Sequence, residues 1–412
     1  MRNIALTTCK TERLLAQLAM RSVADIAQFW HEAATIGLPL VVQSAAGRDE
    51  RDVTFLWRAE KPLQGVYLSL NRVTDKERVG QGMLERIPAS DIWMLTLRLP
   101  AAYCGSYTFT EIPPETPTEQ LSQLGTRRPP FPGQADPLNS TPGIRVRGNR
   151  ESVLALDQAP AQKEWAATGA PRGTLTVSCP VVAGKSRRVR LWLPDTDNAT
   201  PLGLLVLPDA ESWFDHVGVL AALDAAIASG RIAPLAVLGI DNLDEADRAA
   251  ILAGNRELIT DVAERLVPQA RADHPERVWA GRARTVLCGQ SLGGITALMA
   301  AVHAPETFGA VISSSPSMWW MPDNSRRPAM FKDTDVSWVS EHVLAALPSR
   351  VKIRLCIGSL EGTMVPHVHQ LHQRLIAAGV ESTLRVYTGG HDYAWWRGAL
   401  IDGLEGGAAQ QG

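Results

Sequence analysis

From Arg187 onward, short apolar runs alternate with longer helical ones. That alternation limits the possible fold more than any other feature of the chain. "RRVRLWLP", "PLGLLVLPD", "PLAVLGID", "TVLC", "GAVISSS", "VKIRLCIG" and "STLRVYTG" read as strands. Between them lie "WFDHVGVLAALDAAIASG", which ends at a glycine suited to a helix C-terminus, Gly230, and "NRELITDVAERLVPQARA". Further helices are expected from Ser291, near Ser337 to Leu347, and over "VPHVHQLHQRLIAAG". Strands that take turns with helices build a mostly parallel sheet covered on both faces. Residues 171–412 suit one such domain.

The earlier part of the chain has a different grain. "DVTFLWRA", "GVYLSL", "IWMLTLRL" and "GSYTFT" are short, rich in aromatic and β-branched residues, and separated by turn signals. They predict a small antiparallel β-sandwich over residues 1–111. Residues 112–170 then turn rich in proline and polar side chains, as in "TRRPPFPGQADPLNSTPG", and read as a connector. No internal repeat is evident, and a length of 412 residues favours two or more domains.

Composition excludes some classes of function. The formal net charge is only -2 and no long basic run occurs, which disfavours nucleic acid as a partner. No apolar run is long enough to cross a bilayer, so no membrane association is expected. The opening "MRNIALTTCKTERLLAQLAMRS" lacks the pattern of a secretory signal. Cys9, Cys104, Cys179, Cys288 and Cys356 are odd in number and scattered, as reduced thiols are, and no C-x-x-C pair suggests zinc. A cytoplasmic location is the expectation.

Chemistry concentrates at "RTVLCGQSLGG". Gly289-Gln290-Ser291-Leu292-Gly293 fits G-x-S-x-G, with a strand before it and a helix after. A serine on so tight a turn needs small neighbours, and its hydroxyl is left exposed beside the N–H groups of the helix start. The alternative is an ordinary helix-capping serine. A hydroxyl nucleophile needs a base, and in this arrangement the chain order is serine, acid, histidine. His391 follows the last strand and Glu361 the strand before it, both at carboxyl ends, where such sites assemble. His391 is expected to take the serine proton and Glu361 to orient the ring. Asp392 is a rival acid, but its adjacency to His391 makes it hard to face the ring. An oxyanion hole is expected from the N–H groups of Leu292 and, in the loop of "LLVLPDAESWFD", Ala210.

These pieces together resemble the enterochelin esterase family, cytoplasmic ferric-siderophore lactone hydrolases. "VTFLWRA", "VYLSLNRVTD", "RIPASDIWMLTLRLPAAYCGSYTF" and "ADPLN" are similar to its amino-terminal domain and join. "LPDAESWF", "IDNLDEADRAAILAGNRELI", "VLCGQSLGGITALMAAVHAPETFGAVISSSPSMWW", "GSLEG" and "GGHDYAWWR" are similar to its hydrolase domain. The resemblance implies an α/β-hydrolase fold, a triad of Ser291, Glu361 and His391, and a substrate-contacting arginine at Arg248. Two departures stand out. Ile251-Leu252 replaces the family's usual glutamate-leucine pair, and Ala210 replaces its usual glycine. The substrate that the resemblance implies is accordingly enterobactin or a close relative.

Such a ferric tris-catecholate is a flat-faced trianion, which arginines and aromatics could bind. Arg248, Arg326 and Arg327 are the arginine candidates; Trp319, Trp320, Trp395 and Trp396 are the aromatic ones. Iron comes with the substrate, and no cofactor is expected. His369 and His372 share a helical face and His367 does not, so no metal site is expected there. Two other functions fit less well: a feruloyl or acetyl esterase of polysaccharide side chains, and a siderophore- or glycan-binding protein without activity. The amino-terminal sandwich is expected to serve substrate capture, its deletion sparing turnover of a small ester.

Overall fold

A computed structural model describes residues 2–405 except 127, 147, 168 and 349. The chain divides into two compact units. The first is Met1–Pro160 together with Thr388–Ala394, and the second is Ala161–Tyr387 together with Trp395–Gly412.

The first unit opens with two helices that the sequence reading did not anticipate, α1 (Arg2–Ala19) and α2 (Ile26–Ile36). Asp25 starts α2 by accepting the Gln28 N–H, and Gly37 ends it at a φ of 87°. Leu14 and Leu18 of α1 and Phe29, Trp30 and Ala33 of α2 bury themselves with Leu56, Ile87 and Ile92. The strands follow: β1 (Leu40–Gln43), β2 (Glu50–Arg58), β3 (Gly65–Leu70), β4 (Glu85–Arg86), β5 (Ile92–Pro100) and β6 (Cys104–Ile112). A single turn, α3 (Thr118–Leu121), precedes β7 (Ile144–Val146) and β8 (Asn149–Ala155). Among the described residues they form two four-stranded sheets, ordered β1-β2-β5-β4 and β3-β6-β8-β7, antiparallel throughout. Aromatic pairs join the sheets. Phe55 meets Tyr107 edge-on at 5.1 Å, and Trp57 lies against Phe109 at 5.0 Å.

The segment expected to be a connector is mostly part of this unit. Cys104 to Tyr107 of β6 pair with Ala155 to Ser152 of β8, and Gln134 exchanges backbone hydrogen bonds with Phe109. Asp136 accepts the Tyr107 hydroxyl, and Asn139 donates to the Val153 carbonyl. Proline and polar content registered the turns, but not that an unpaired β6 edge would need a partner.

The second unit holds β9 (Thr174–Ser178), a small hairpin β10 (Val181–Val182) and β11 (Lys185–Ser186), β12 (Val189–Leu193) and β13 (Gly203–Pro208). Next come α4 (Val219–Ala228), β14 (Leu235–Ile240), α5 (Glu245–Ile251), α6 (Arg256–Asp261) and α7 (Val267–Ala272). Then follow β15 (Thr285–Gln290), α8 (Leu292–His303), β16 (Ala310–Ser314), α9 (Trp338–Ala346), β17 (Lys352–Gly358), α10 (Met364–Ala377), β18 (Ser382–Tyr387) and α11 (Tyr393–Glu405). An eight-stranded sheet runs β18-β17-β16-β15-β13-β14-β12-β9. It is parallel from β18 to β14, and β12 pairs antiparallel with both β14 and β9. Each strand expected from the alternation is present. Two expected helices are divided. Gly218, at a φ of 79°, separates α4 from a π-helical turn over Glu211–Val217. Between α6 and α7 a π-helical stretch, Val262–Leu266, absorbs Pro268, whose ring lacks the N–H that a regular helix uses. Val206, Leu238 and Leu287 from the strands meet Ile295, Leu298 and Met299 of α8 in the main core.

Candidate active site

Three neighbouring parallel strands, β13, β15 and β16, end in the same unusual way. The next residue in each case is not glycine, yet has a positive φ: Asp209 at 58°, Ser291 at 59° and Ser315 at 46°. Such a conformation costs about 1–3 kcal/mol and persists only where the surroundings fix it. Carboxyl ends of parallel strands are where ligand sites of open α/β sheets form.

Ser291 sits at a ψ of -118° and its side chain makes no capping bond to α8. The helix-cap alternative is therefore not what this serine does. Its N–H donates to the Ser314 carbonyl at 3.0 Å, and its carbonyl accepts from Ser317 at 3.2 Å. The hydroxyl lies 3.2 Å from the Ser317 hydroxyl. Of the two flanking glycines, Gly289 is compulsory, whereas a Cβ at Gly293 would meet only Asp209 Oδ2 at 3.5 Å. A Cβ at Gly289 would come within 2.1 Å of the Gly293 carbonyl oxygen. Leu292 opens α8, so its N–H has no acceptor within the helix.

Asp209, only 1% exposed, gathers a fan of donors. Arg248 Nε and Nη2 reach its two oxygens at 2.6 and 2.9 Å. Asn242 Nδ2 donates at 2.6 Å and Gln290 Nε2 at 2.7 Å. The Gln290 oxygen accepts the Trp213 indole N–H at 3.1 Å. Gln290 immediately precedes Ser291, so one side chain ties the serine turn to the Asp209 turn. Ala210, fully buried, is the next residue along. Burial, with the nearby Asp209 charge, raises the Glu211 carboxyl above its ordinary range, opposed by N–H bonds from Asn242.

Glu361, buried after β17, accepts the Gly358 N–H at 2.9 Å and the Ser315 hydroxyl at 2.5 Å. Ser315 in turn accepts the Trp396 indole N–H at 2.8 Å. His391 belongs to the first unit. Its backbone is forked by Asn71, which accepts its N–H at 2.9 Å and donates to its carbonyl at 3.3 Å. Asp392, the rival acid, holds groups of the first unit. It accepts the Ser106 N–H at 2.6 Å, the Ser106 hydroxyl at 2.9 Å and the Ala394 N–H at 2.8 Å.

The substrate candidates are dispersed. Arg248 is engaged with Asp209 rather than presented alone. Arg326 and Arg327 lie in the loop after Trp320 and bond carbonyls of Val336 and Asn324, with Arg326 over the Phe331 ring at 5.2 Å. Two tryptophan expectations are corrected. Trp395 is wholly buried and stacks on Tyr387 at 4.8 Å, and Trp320 is a core residue against Gly254 and Trp338. Both were expected to line the mouth of the site from beside His391 or from a loop after a strand, whereas α11 turns the Trp395 ring inward and the loop after β16 packs Trp320 into the core. Trp319 is half-buried against the core. His367 and His372 bond the Lys332 carbonyl and the Ser382 hydroxyl. Asn71, Ser315, Asn242 and Gln290 were not singled out from sequence. Gln290 alone carried a signal, as the polar x of the G-x-S turn.

Residues 181–406 match the putative esterase family model, and residues 52–165 match the model for the enterochelin esterase N-terminal domain. The iron(III) salmochelin esterase of Escherichia coli O6:H1 strain CFT073 is 61% identical over 94% of this chain and 95% of its own length. The chain belongs to the enterochelin esterase family. An enterochelin esterase is a carboxylic ester hydrolase, and this chain is one. The iron(III) enterobactin esterase of Dickeya dadantii is 31% identical over 91% of each chain. The ferric enterobactin esterase structure from Salmonella typhimurium superposes with a TM-score of 0.79 at 27% identity, covering 92% of this enterochelin esterase and 98% of that chain. The enterobactin esterase from Shigella flexneri, solved in the presence of enterobactin, gives a TM-score of 0.77 at 26% identity over 92% and 97% of the two chains. Among the described residues of this family member, no helix is long and apolar enough to cross a membrane.

Proposed function

We propose that this enterochelin esterase hydrolyses the lactone esters of a ferric catecholate siderophore, salmochelin or enterobactin, by way of an acyl-enzyme on Ser291. The carrying observation is the strained turn at Ser291, whose hydroxyl caps nothing in α8. The Ser291 oxygen attacks the lactone carbonyl while His391 takes its proton. The N–H groups of Leu292 and Ala210 receive the oxyanion. The carbonyl–oxygen bond of the ring then breaks, and the His391 proton goes to the departing alkoxide. Water, deprotonated by the same histidine, releases the acid and restores Ser291. Glu361 holds the histidine's orientation.

Opening the ring weakens iron chelation, because one macrocycle no longer preorganises three catechols. Iron is thus cargo, and the reaction uses no cofactor. Arg326, Arg327 and Trp319 are the proposed contacts for the anionic, flat-faced substrate. Cytoplasmic action belongs to this proposal. Cys104, Cys179, Cys288 and Cys356 are not joined in disulfides, which suits a reducing compartment. The test is to incubate purified protein with ferric salmochelin, ferric enterobactin and methyl ferulate and to weigh the products by mass spectrometry. Linear siderophore esters are expected, and turnover of methyl ferulate alone would refute the proposal.

A further inference from the structure

The segment that carries His391 comes from the far end of the chain, yet it is bonded into the amino-terminal unit. The Thr388 carbonyl accepts the Cys104 N–H at 2.8 Å. Gly390 lies so close to the turn after β3 that a Cβ there would come within 2.3 Å of Asn71 Oδ1 and 2.7 Å of Arg72 Cγ. Asp392 is anchored on Ser106, and the Ala394 carbonyl accepts the Cys104 thiol. His391 itself, only half-buried, is held through its backbone by one side chain, the Asn71 amide.

We infer that Asn71 is a positioning residue for the reaction, fixing where the His391 imidazole stands. This rests on the assignment of His391 as the base. The amide suits the task because it is donor and acceptor at once, so it satisfies both backbone groups of a single residue. With N–H and carbonyl both held, the peptide on each side of His391 cannot rotate, and the side chain leaves the backbone in one direction. Proton transfer needs heavy atoms within hydrogen-bond reach, and a displacement of about 1 Å can cost a hundredfold in rate. Asn71 bonds the backbone of His391 and not its imidazole, so its action on the reaction is indirect.

The experiment compares full-length wild type, Asn71→Ala, Asn71→Asp, Gly390→Ala and His391→Ala on a neutral small ester and on ferric enterobactin. Asn71→Ala is expected to lower kcat on both substrates by a common factor of about 10 to 100, with KM changed little. Asn71→Asp keeps the acceptor for the His391 N–H and is expected to recover part of that loss. Gly390→Ala, which drives a methyl group into the Asn71 amide, is expected to reproduce the loss and stands in should Asn71→Ala unfold. A folded Asn71→Ala or Gly390→Ala with full kcat overturns the inference, as does a loss confined to KM for the ferric substrate. His391→Ala separates the two levels. If it retains turnover, the assignment of the base is wrong; if it is inactive while Asn71→Ala is not, only the positioning role falls.

Discussion

Arg248 grips Asp209 with two parallel bonds, Nε at 2.6 Å and Nη2 at 2.9 Å. Resemblance, together with its place beyond the strand "PLAVLGID", assigns Arg248 to the substrate, with a selective effect on the charged one. The pair also ties it to the turn beside Ser291. Asp209 holds a left-handed φ immediately before Ala210, and its carboxylate also receives Gln290, the neighbour of Ser291. Hydrogen bonds to a charged group are worth about 1.5–3 kcal/mol. Arg248→Gln is therefore expected to lower kcat/KM about tenfold to a hundredfold on a neutral ester and on a ferric siderophore alike. An untouched neutral ester would restore the selective role.

Ser291→Ala is expected to cut turnover by at least about a thousandfold while leaving the far-ultraviolet spectrum unchanged. The methyl group occupies the same turn, so the fold keeps its geometry and only the attacking oxygen is gone. A variant with near wild-type turnover would remove Ser291 from the mechanism.

Glu361 and Asp392 should part company under isosteric substitution. Glu361→Gln is expected to lower kcat, because the amide orients the base less well. Asp392→Asn disturbs three bonds from Ser106 and Ala394 and is expected to lower the melting temperature more than kcat. The reverse pattern would transfer the acid role to Asp392.

Asp247, beside Arg248, makes stability depend on acidity. A hydrogen bond from Arg187, and then the Leu243 N–H and the Arg187 charge, hold its carboxyl at about 2, below the ordinary 3.8. In that window the unfolded chain binds the proton more readily than the folded one. Stability is therefore complete above pH 4 and falls by about 2 kcal/mol as pH drops through about 2. Urea titrations of wild type and Asp247→Asn across this range should diverge, the variant losing the steeper slope. Parallel curves would assign the acid sensitivity to other groups.

A chain beginning at Ala161 keeps Thr388–Ala394 but lacks Asn71, Cys104 and Ser106, which bond it. Its turnover of a small ester is expected to collapse, contrary to the view of the first unit as a capture module. Wild-type turnover by a folded fragment of this kind would show the simpler view to be right.

What could be read in advance follows from the range of the forces. The second unit was legible because its strands are apolar runs of the right length, punctuated by glycine and proline. β15 and the start of α8 fell where the motif put them. The first two helices were missed although Asp25, Phe29, Trp30 and Ala33 spell an N-cap and an apolar stripe. The edge of β6 could not announce that it would recruit β8 from beyond a proline-rich stretch. Side-chain partners were least legible. Arg248 pairs with a residue 39 positions away and Asn71 with one 320 positions away, and neither spacing has a local signature.

The bonds between Asn71 and His391 also set a timetable for biosynthesis. A ribosome makes β3 and β6 early, and chains tend to fold as they emerge, first unit first. Here the unit is left with an unfilled place. The amide of Asn71 and the backbone of Cys104 and Ser106 wait until residues 388–394 have been made, as many as 320 residues later. A nascent or prematurely terminated chain thus carries Ser291 in its turn without His391, so on the proposed mechanism hydrolysis waits until residues 388–394 have joined the first unit.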